Sequence, residues 1–294
     1  MSVHTFGGTW TEEKLACLSK YLAAYRTIFT AHEKARHFRT WYVDAFAGTG
    51  TRSEPGLPAD DQQLFDEVYF ETTEYRAGSA RIALDLRSPF DKYLFVEESR
   101  DRVNTLRATI AKDFTHLEAR CELRQGDANT VLKTWCRERD WRKERAVVFL
   151  DPYGMQVEWS TIEALAATAA VDLWYLFPLG VGVARLLTHD GNIAPTWQAR
   201  LELLFGTNEW KSRFYKTMKT QDLFGDVETV ERDASVGKIA SFIHERLEGC
   251  FAAVAKGLIL RNTKASPLYL LCFAASNKRG APTALRIAQS ILND

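Results

Sequence analysis

Short runs of apolar residues recur along the chain and alternate with segments in which apolar positions are three or four residues apart. The runs predict buried strands, and the spaced segments predict helices that cover them. Five strand-then-helix units predict a mostly parallel sheet, which binds ligands at the carboxyl ends of its strands. The predicted strands are 41–46, 93–96, 119–123, 146–150 and 171–177.

The regions on either side of these units have other patterns. Helical spacing over 10–38, with Leu15, Leu18 and Leu22 on one face, predicts a helix before the first strand. Residues 188–233 show no clear strand pattern, so we predict a helical insertion there.

The last part of the chain predicts an antiparallel hairpin over 255–260 and 268–274, followed by a helix over 284–292. We therefore predict a single domain with four parts. These are an N-terminal helical extension (1–40), a cofactor-binding core (41–187), a helical insertion (188–250) and a C-terminal hairpin with a helix (251–294).

Composition excludes several classes of function. The 294 residues carry 38 Lys and Arg and 38 Asp and Glu, so no overall positive field attracts nucleic acid and any basic surface must be local. The cysteines are odd in number and lack a Cys-x-x-Cys spacing, which argues against a zinc knuckle or a disulfide framework. Since the histidines also lack a ligand spacing, we predict no metal. The cysteines are Cys17, Cys121, Cys136, Cys250 and Cys272.

We also predict a cytoplasmic protein without a membrane span. The first ten residues lack the charged start and apolar core of a signal peptide. The most apolar stretch, 173–187, contains Pro178 and Arg185 and is too short to span a bilayer.

The most informative local pattern is Trp-Tyr-Val-Asp-Ala-Phe-Ala-Gly-Thr-Gly at 41–50. A strand that ends in a glycine turn lets a nucleotide-like cofactor approach the backbone, because Gly48 and Gly50 have no Cβ. The third glycine of a dinucleotide fingerprint is absent and a proline-containing loop follows, which disfavours a nicotinamide cofactor. With Asp44 and Phe46, the pattern Asp-x-Phe-x-Gly-x-Gly resembles the first motif of class I S-adenosylmethionine-dependent methyltransferases. An ordinary glycine-rich turn is the alternative.

Three carboxylates are placed to serve this cofactor. Glu97 ends the second strand and can accept both hydrogen bonds of a ribose diol, unless it is only a solvated charge. Asp127 ends the third strand and can accept the amine of adenine, or can cap the next helix. Asp44 lies inside a buried strand and needs partners, which a cofactor ammonium or turn amides would supply.

A second motif, Asp151-Pro152-Tyr153-Gly154, follows the fourth strand. A carboxylate at a strand end, followed by an aromatic ring, can accept hydrogen bonds from a planar amine and stack on its ring. Amino-methyltransferases carry Asp/Asn-Pro-Pro-Tyr/Phe, from which this chain departs because Tyr153 comes one position early. Asp-Pro-aromatic-Gly resembles the variant in tRNA guanine-N2 methyltransferases. We predict that Asp151, Pro152 and Tyr153 hold the methyl acceptor, with an ordinary turn as the alternative.

Two basic segments are candidates for contact with a polyanion. The segment 210–219 interleaves aromatic rings with cations, as single-strand binders do, although a solvated helix face would look the same. The predicted DNA or RNA contacts are Lys211, Arg213, Lys216 and Lys219. The second segment, 277–280, reads Asn-Lys-Arg-Gly and is either a phosphate contact or a plain loop.

The order and spacing of these segments resemble the three-Cys-motif partner proteins, a bacterial group with a class I methyltransferase-like core. This resemblance implies an α/β, Rossmann-like fold with a seven-stranded, mostly parallel sheet and a reversed strand in the C-terminal hairpin. It also implies a partner protein that carries three cysteines. The matching segments include Trp10-Thr11, Lys14-Leu15, Tyr21-Leu22, 42–50, Gly78-Ser79, 95–97, Gly126-Asp127, 150–154, Phe177-Pro178, Phe205-Gly206-Thr207, Trp210 and 267–271.

Our leading hypothesis is an S-adenosylmethionine-dependent methyltransferase that acts on an exocyclic amine of a nucleic-acid base, together with the three-cysteine partner. Asp44, Phe46, Gly48, Gly50, Glu97 and Asp127 would hold the cofactor. The alternative is a non-catalytic, methyltransferase-like scaffold for that partner or for nucleic acid. A nicotinamide-dependent enzyme is a third, disfavoured hypothesis.

Overall fold

The computed structural model describes residues 9–47, 78–222 and 225–294, without the side chains of Thr9, 219–222 and 225–228. The strands of the described residues are β1 (Arg39–Asp44), β2 (Lys92–Glu97), β3 (Cys121–Gln125), β4 (Glu144–Leu150), β5 (Val171–Phe177), β6 (Tyr215–Asp222), β7 (Gly225–Arg232), β8 (Ala253–Val254), β9 (Leu258–Arg261) and β10 (Pro267–Ala275). Their helices are α1 (Thr9–Ala31), α2 (described over 78–84), α3 (Arg100–Asp113), α4 (Ala128–Glu138), α5 (Trp159–Ala167), α6 (Pro195–Phe205), α7 (Trp210–Phe214), α8 (Val236–Glu248) and α9 (Ala281–Asn293).

The central sheet has the order β3-β2-β1-β4-β5-β10, and β8 and β9 both pair with the far side of β10. The first five strands are parallel, and β10 runs antiparallel to β5. The order reverses between β1 and β4, where ligands bind in open α/β sheets. The predicted fold class, a mostly parallel α/β sheet with a reversed strand in the C-terminal hairpin, is therefore confirmed, although the described sheet has eight strands where the resemblance implied seven.

Helices cover both faces of this sheet. On one face, apolar side chains of α1, α2, α3 and α9 pack against alternate residues of the strands, such as Tyr42 and Phe149. On the other face, α4 to α8 pack against the intervening residues, such as Val43 and Val148. Because both faces are buried, the central strands are almost continuously apolar, which made them recognisable in the sequence.

Three polar contacts fix α1 on the sheet. Lys14 reaches Asp151 beyond β4, the Tyr21 hydroxyl donates to Asp172 Oδ2 over 2.6 Å, and Arg26 donates to the Thr40 hydroxyl in β1. Lys14 and Tyr21 are seven residues apart and lie on one side of the helix, whereas Arg26, five residues later, is rotated by about 140° and reaches β1 with its long side chain. The N-terminal helix is thus joined to three strands of the core, and its position is set by specific bonds as well as by apolar packing.

The region predicted as a helical insertion also contains strands. Alongside α6, α7 and α8 it forms a two-stranded antiparallel hairpin from β6 and β7, separate from the central sheet. The prediction missed this hairpin because strands that are not buried on both faces lack a long apolar run. The predicted strand over 255–260 is likewise two short strands, β8 and β9, separated at Ala255–Gly257.

We expect Asp172 to make folding stability depend on pH. Burial raises the pKa of this carboxyl to about 6, although the Tyr21 hydroxyl and the Arg145 charge lower it. Since an unfolded aspartate titrates near pH ~4, the folded protein takes up the proton first, and this contribution to stability is lost as the pH rises through the folded pKa. Between pH 7 and pH 5 the native protein should gain about 1 kcal/mol relative to Asp172→Asn.

Urea unfolding of both proteins at the two pH values measures this difference, and comparing the pair cancels the other titrating groups. Parallel pH dependence in the two proteins would show that Asp172 titrates normally.

Candidate functional site

A cleft of about 410 Å³ opens at the carboxyl ends of β1, β2 and β3. Its walls come from the segments that follow these strands and from the turn after β4, and Arg200 of α6 lies at one side. This volume falls within the range of ordinary small-ligand pockets. The cleft brings together Phe46, Glu97, Asp127 and Tyr153, which come from four different strand ends, as the sequence predicted.

Glu97 is held at the cleft by one of its two carboxylate oxygens. Oε1 accepts from the backbone N–H of Ser99 at 2.7 Å and from the Arg102 guanidinium at 3.4 Å. Oε2 accepts no hydrogen bond from the described residues. A carboxylate that is positioned through one oxygen keeps the other available for a ligand hydroxyl.

Asp127 performs the structural role that was its alternative interpretation and also lines the cleft. Its Oδ1 accepts from the backbone N–H of Thr130 at 2.8 Å, which caps α4. Among the described residues, only the Asn129 side chain donates a hydrogen bond to Asp127 Oδ2, at 3.4 Å. Because that bond is long, Oδ2 keeps capacity for a second donor.

Asp44 stabilises the turn after β1 and does not line the described cleft. It is fully buried and accepts from the Ser79 hydroxyl at 2.6 Å and from the Phe46 backbone N–H at 3.2 Å. A turn amide thus supplies one of the predicted partners. Burial and the nearby Asp44 raise the pKa of Tyr42, which keeps the Tyr42 hydroxyl a donor towards this carboxylate.

Gly48 and Gly50, like the loop at 51–77, lie outside the described residues. Phe46, the last motif residue with a described side chain at the cleft, packs against the core while lining the cavity.

The second motif forms a turn that requires its glycine. Gly154 has a φ of 59°, a left-handed conformation that disfavours residues with a Cβ. Pro152 is buried, whereas Tyr153 lines the cleft and donates its backbone N–H to the Gln156 side chain at 3.1 Å. The departure from Asp-Pro-Pro-Tyr therefore has a local cause, since the chain turns at the fourth position.

Asp151 faces α1 and not the cleft. Its Oδ2 accepts from Lys14 Nζ over 2.7 Å, and the two side chains are 3% and 1% exposed. Asp151 Oδ1 is also buried, and no described residue donates a hydrogen bond to it. The predicted acceptor-binding carboxylate is thus separated from Tyr153 by the orientation of its side chain.

Sequence analysis gave no role to Lys14 or to Asn129. Asn129 joins α4 to the segment after β4, since its amide donates to Gln156 and its oxygen accepts from Glu158 and Thr161. Lys14 carried a signal that could have identified it, because a lysine among the apolar positions of an amphipathic helix must have a buried anionic partner. Nothing in the local pattern at Asn129 distinguishes it from a surface residue.

Two of the three aromatic rings in the basic segment at 210–219 are buried, and the third, Tyr215, is partly exposed. Trp210 and Phe214 are buried in the core, so they cannot stack on bases. The described cations of this segment are paired with acids, and the side chain of Lys219 lies outside the description. The pairs are Lys211–Glu202, Arg213–Glu245 and Lys216–Asp233. Nucleic-acid binding through these cations stays a prediction.

The rest of the described chain offers few other reactive groups. No three His, Cys, Asp or Glu side chains gather as metal ligands within the described residues. The described helices also lack the combination of length and apolarity that crossing a membrane requires. The cysteines are unpaired thiols, and burial raises the pKa of Cys17 to about 11 and that of Cys136 to about 12.

Solved structures with a similar arrangement are distant. They include a Legionella pneumophila protein (13% identity, 84% of this chain and 94% of that chain covered, TM-score 0.38). A protein proposed to be an S-adenosylmethionine-dependent methyltransferase, from Listeria monocytogenes, gives 10% identity, 81% and 91% coverage and a TM-score of 0.35. A protein proposed to be a methyltransferase, from Escherichia coli, is 10% identical, with 74% of this chain and 86% of that chain covered and a TM-score of 0.30. Values this low transfer no function, so the fold class follows from the strand order itself.

No family model matches the chain, and no curated protein matches it either. The resemblance to three-Cys-motif partner proteins therefore stays a prediction.

We expect the Lys14–Asp151 pair to be far more important for stability than an exposed pair on the same helix. Lys14→Met leaves the Asp151 carboxylate buried without a counter-charge, which should cost about 3–5 kcal/mol of unfolding free energy. Lys20→Met is the matched control, because Lys20 pairs with Asp294 at the surface and should cost less than about 1 kcal/mol.

Urea unfolding of the two variants measures both losses. Equal losses would contradict the assignment, and a Lys14→Met/Asp151→Leu double variant that recovers most of the stability would confirm that the stranded charge is the cause.

Proposed function

We propose that this protein binds S-adenosylmethionine in the cleft at the carboxyl ends of β1, β2 and β3 and transfers its methyl group. The observation that carries this proposal is Glu97, whose Oε1 is fixed by Ser99 and Arg102 while Oε2 accepts no bond from the described residues. An acid so placed at the end of the second strand suits a ribose diol.

The other residues of the cleft fit the same cofactor. Asp127 Oδ2 has capacity for an amine hydrogen, and the Phe46 side chain supplies an apolar surface for a planar base. Glu98 and Glu158 add further carboxylates, and Arg102 and Arg200 add guanidinium groups, so the lining suits a ligand that carries charges of both signs together with hydroxyl and amine groups. When bound, the cofactor supplies a methyl group on a positively charged sulfur. The chain itself orients that group and excludes water.

Acceptor binding would fall to the turn after β4. Tyr153 lines the cleft and has a ring on which a planar base can stack. Asp151 Oδ1 is a buried carboxylate oxygen that no described residue satisfies, and an acceptor N–H would satisfy it. An acceptor reaches this oxygen only if α1 or the turn moves, because Asp151 does not line the described cleft. We therefore propose an exocyclic amine of a nucleic-acid base as the acceptor. A three-cysteine partner protein is proposed on the sequence resemblance alone.

A second candidate function is a non-catalytic scaffold built on the same fold. It is favoured by one observation, the Lys14 ammonium that occupies Asp151 Oδ2 in the buried interior. A carboxylate committed to such a pair serves the fold and needs no acceptor. The scaffold would keep the cleft as a vestigial or regulatory cofactor site.

Cofactor binding provides the first test. We expect S-adenosylmethionine to bind the purified protein in calorimetry, and Glu97→Gln to weaken binding about 10- to 100-fold, since a ribose hydroxyl then loses a charged acceptor. Asp101→Asn is the matched control, because Asp101 is an exposed acid in the first turn of α3 that does not line the cleft. Absent binding, or equal effects of the two variants, would remove the cofactor assignment.

Methyl transfer provides the second test. With labelled S-adenosylmethionine and mixed DNA and RNA, label should enter nucleic acid, and Tyr153→Ala should lower turnover at least 10-fold while leaving cofactor affinity within about twofold, since stacking contributes roughly 1–3 kcal/mol. Cofactor binding without any transfer would favour the scaffold.

A further inference from the structure

A second cavity, of about 610 Å³, lies at the opposite edge of the sheet. It is enclosed by the C-terminal half of α1, the segment that links α1 to β1, the beginnings of β4 and β5, and the first turns of α9. It shares no lining residue with the carboxyl-edge cleft. Its volume falls within the range of small-ligand pockets.

The walls of this cavity are aromatic and aliphatic. Tyr25 and Phe29 lie with their ring centroids 4.5 Å apart on α1, and Phe38 closes the side formed by the linking segment. Ile287 of α9 contributes to the wall opposite α1. Such surfaces accommodate a flat, apolar ligand body, and the rings offer faces on which a heterocycle can stack.

Apart from the exposed cations, the charged groups of the lining are one carboxylate and one guanidinium, beside the neutral side chains of Tyr21 and Tyr25. Asp172 Oδ2 accepts from the Tyr21 hydroxyl, but no described residue donates to Oδ1. Arg145 lies over the Phe38 ring at 3.7 Å and uses only Nη1, which donates to the carbonyl oxygens of Trp141 and Glu144. Its Nε and Nη2 donate to no acceptor among the described residues.

These two opposite charges line one cavity without forming an ion pair with each other. The two groups are too far apart to bond to each other directly. A ligand that lies between them could bond to both and so satisfy the carboxylate and the guanidinium together. Such a group must carry hydrogen-bond donors and acceptors on adjacent edges of one rigid ring system. Guanine does so: N1–H and N2–H₂ on its Watson–Crick edge can donate to a carboxylate, and O6 and N7 on its Hoogsteen edge can accept from arginine in a bidentate manner.

The mouth of the cavity has the complementary charge for a phosphate. Its charged or titratable side chains outside the interior are Lys34, Arg279, His32 and His37, all of them exposed, and Asp172 is the only acid among the described lining residues. Arg279 belongs to the 277–280 segment that the sequence suggested as a phosphate contact. A ligand with its base inside would place its phosphate near these cations.

We propose that this amino-edge cavity binds a guanine nucleotide, with the base between the aromatic walls, its N1–H and N2–H₂ donors on Asp172, its O6 and N7 acceptors on Arg145, and its phosphate at Arg279. The site is independent of the cofactor cleft and of methyl transfer. The nucleotide is either a free molecule or one unit of a single-stranded nucleic acid, since both present the same base and phosphate.

Calorimetry with GMP, AMP and guanosine on the full chain tests the proposal. GMP should bind at least 10-fold more tightly than AMP, because adenine lacks the O6 acceptor and the N1–H donor. Asp172→Asn should weaken GMP at least 10-fold. Arg279→Ala should weaken the binding of GMP severalfold and leave the binding of guanosine unchanged. Because Arg279 is exposed, this substitution should not disturb folding. Lys278→Ala is the matched control, because Lys278 is exposed beside Arg279 and does not line the cavity.

Two further experiments distinguish a free nucleotide from a nucleic-acid strand and separate this cavity from the cofactor cleft. A single-stranded tetranucleotide with one guanosine that binds better than GMP identifies a nucleic-acid strand, and the reverse identifies a free nucleotide. Glu97→Gln should leave GMP binding unchanged, so failure of the cofactor assignment would not affect this result. Absence of GMP binding at millimolar concentration, or equal affinity for GMP and AMP with no effect of Arg279→Ala, would overturn the proposal.

Discussion

The buried ion pair between Lys14 and Asp151 is the constraint on which the arrangement of the site depends. Taking both charges out of water costs several kcal/mol for each ion, and only a close contact between them offsets that cost. The carboxylate at the end of β4 therefore requires α1 in place, and α1 in turn covers one face of the sheet. The N-terminal helix is consequently an integral part of the fold around the cleft, because moving it exposes or strands a charge.

The sheet then separates the molecule into two chemically different edges. At the carboxyl edge, acids and a tyrosine at the strand ends line a cleft whose carboxylate oxygens can accept further hydrogen bonds. At the amino edge, α1, β4, β5 and α9 enclose an aromatic cavity with cations at its mouth. Parallel strands produce this separation because all their carboxyl ends point the same way. The net charge of zero conceals the contrast, since composition averages over both edges.

Strand ends were the part of the site that sequence reasoning could reach. Glu97 was found because it ends a buried apolar run, and Asp127 was found because Gly126-Asp127 ends the third predicted strand. The strand β5 spans the same residues, 171–177, as the predicted strand. The hairpin of β6 and β7 was missed because partly exposed strands have no long apolar run. The rings of Trp210 and Phe214 were misread as a binding surface because a core aromatic and a stacking aromatic look alike in sequence.

The sequence by itself determined the α/β class, the mostly parallel sheet and the edge at which acids would meet. Apolar periodicity is a local property, and a helix between successive strands returns each strand in the same direction. Only the tertiary structure decided what each acid contacts. Asp127 caps a helix while lining the cleft, Asp151 turns away to Lys14, and Asp172 lies in a cavity with Arg145 without pairing with it. Side-chain partners come from residues distant in the chain, and the balance between desolvation and charge pairing is set only when the elements pack.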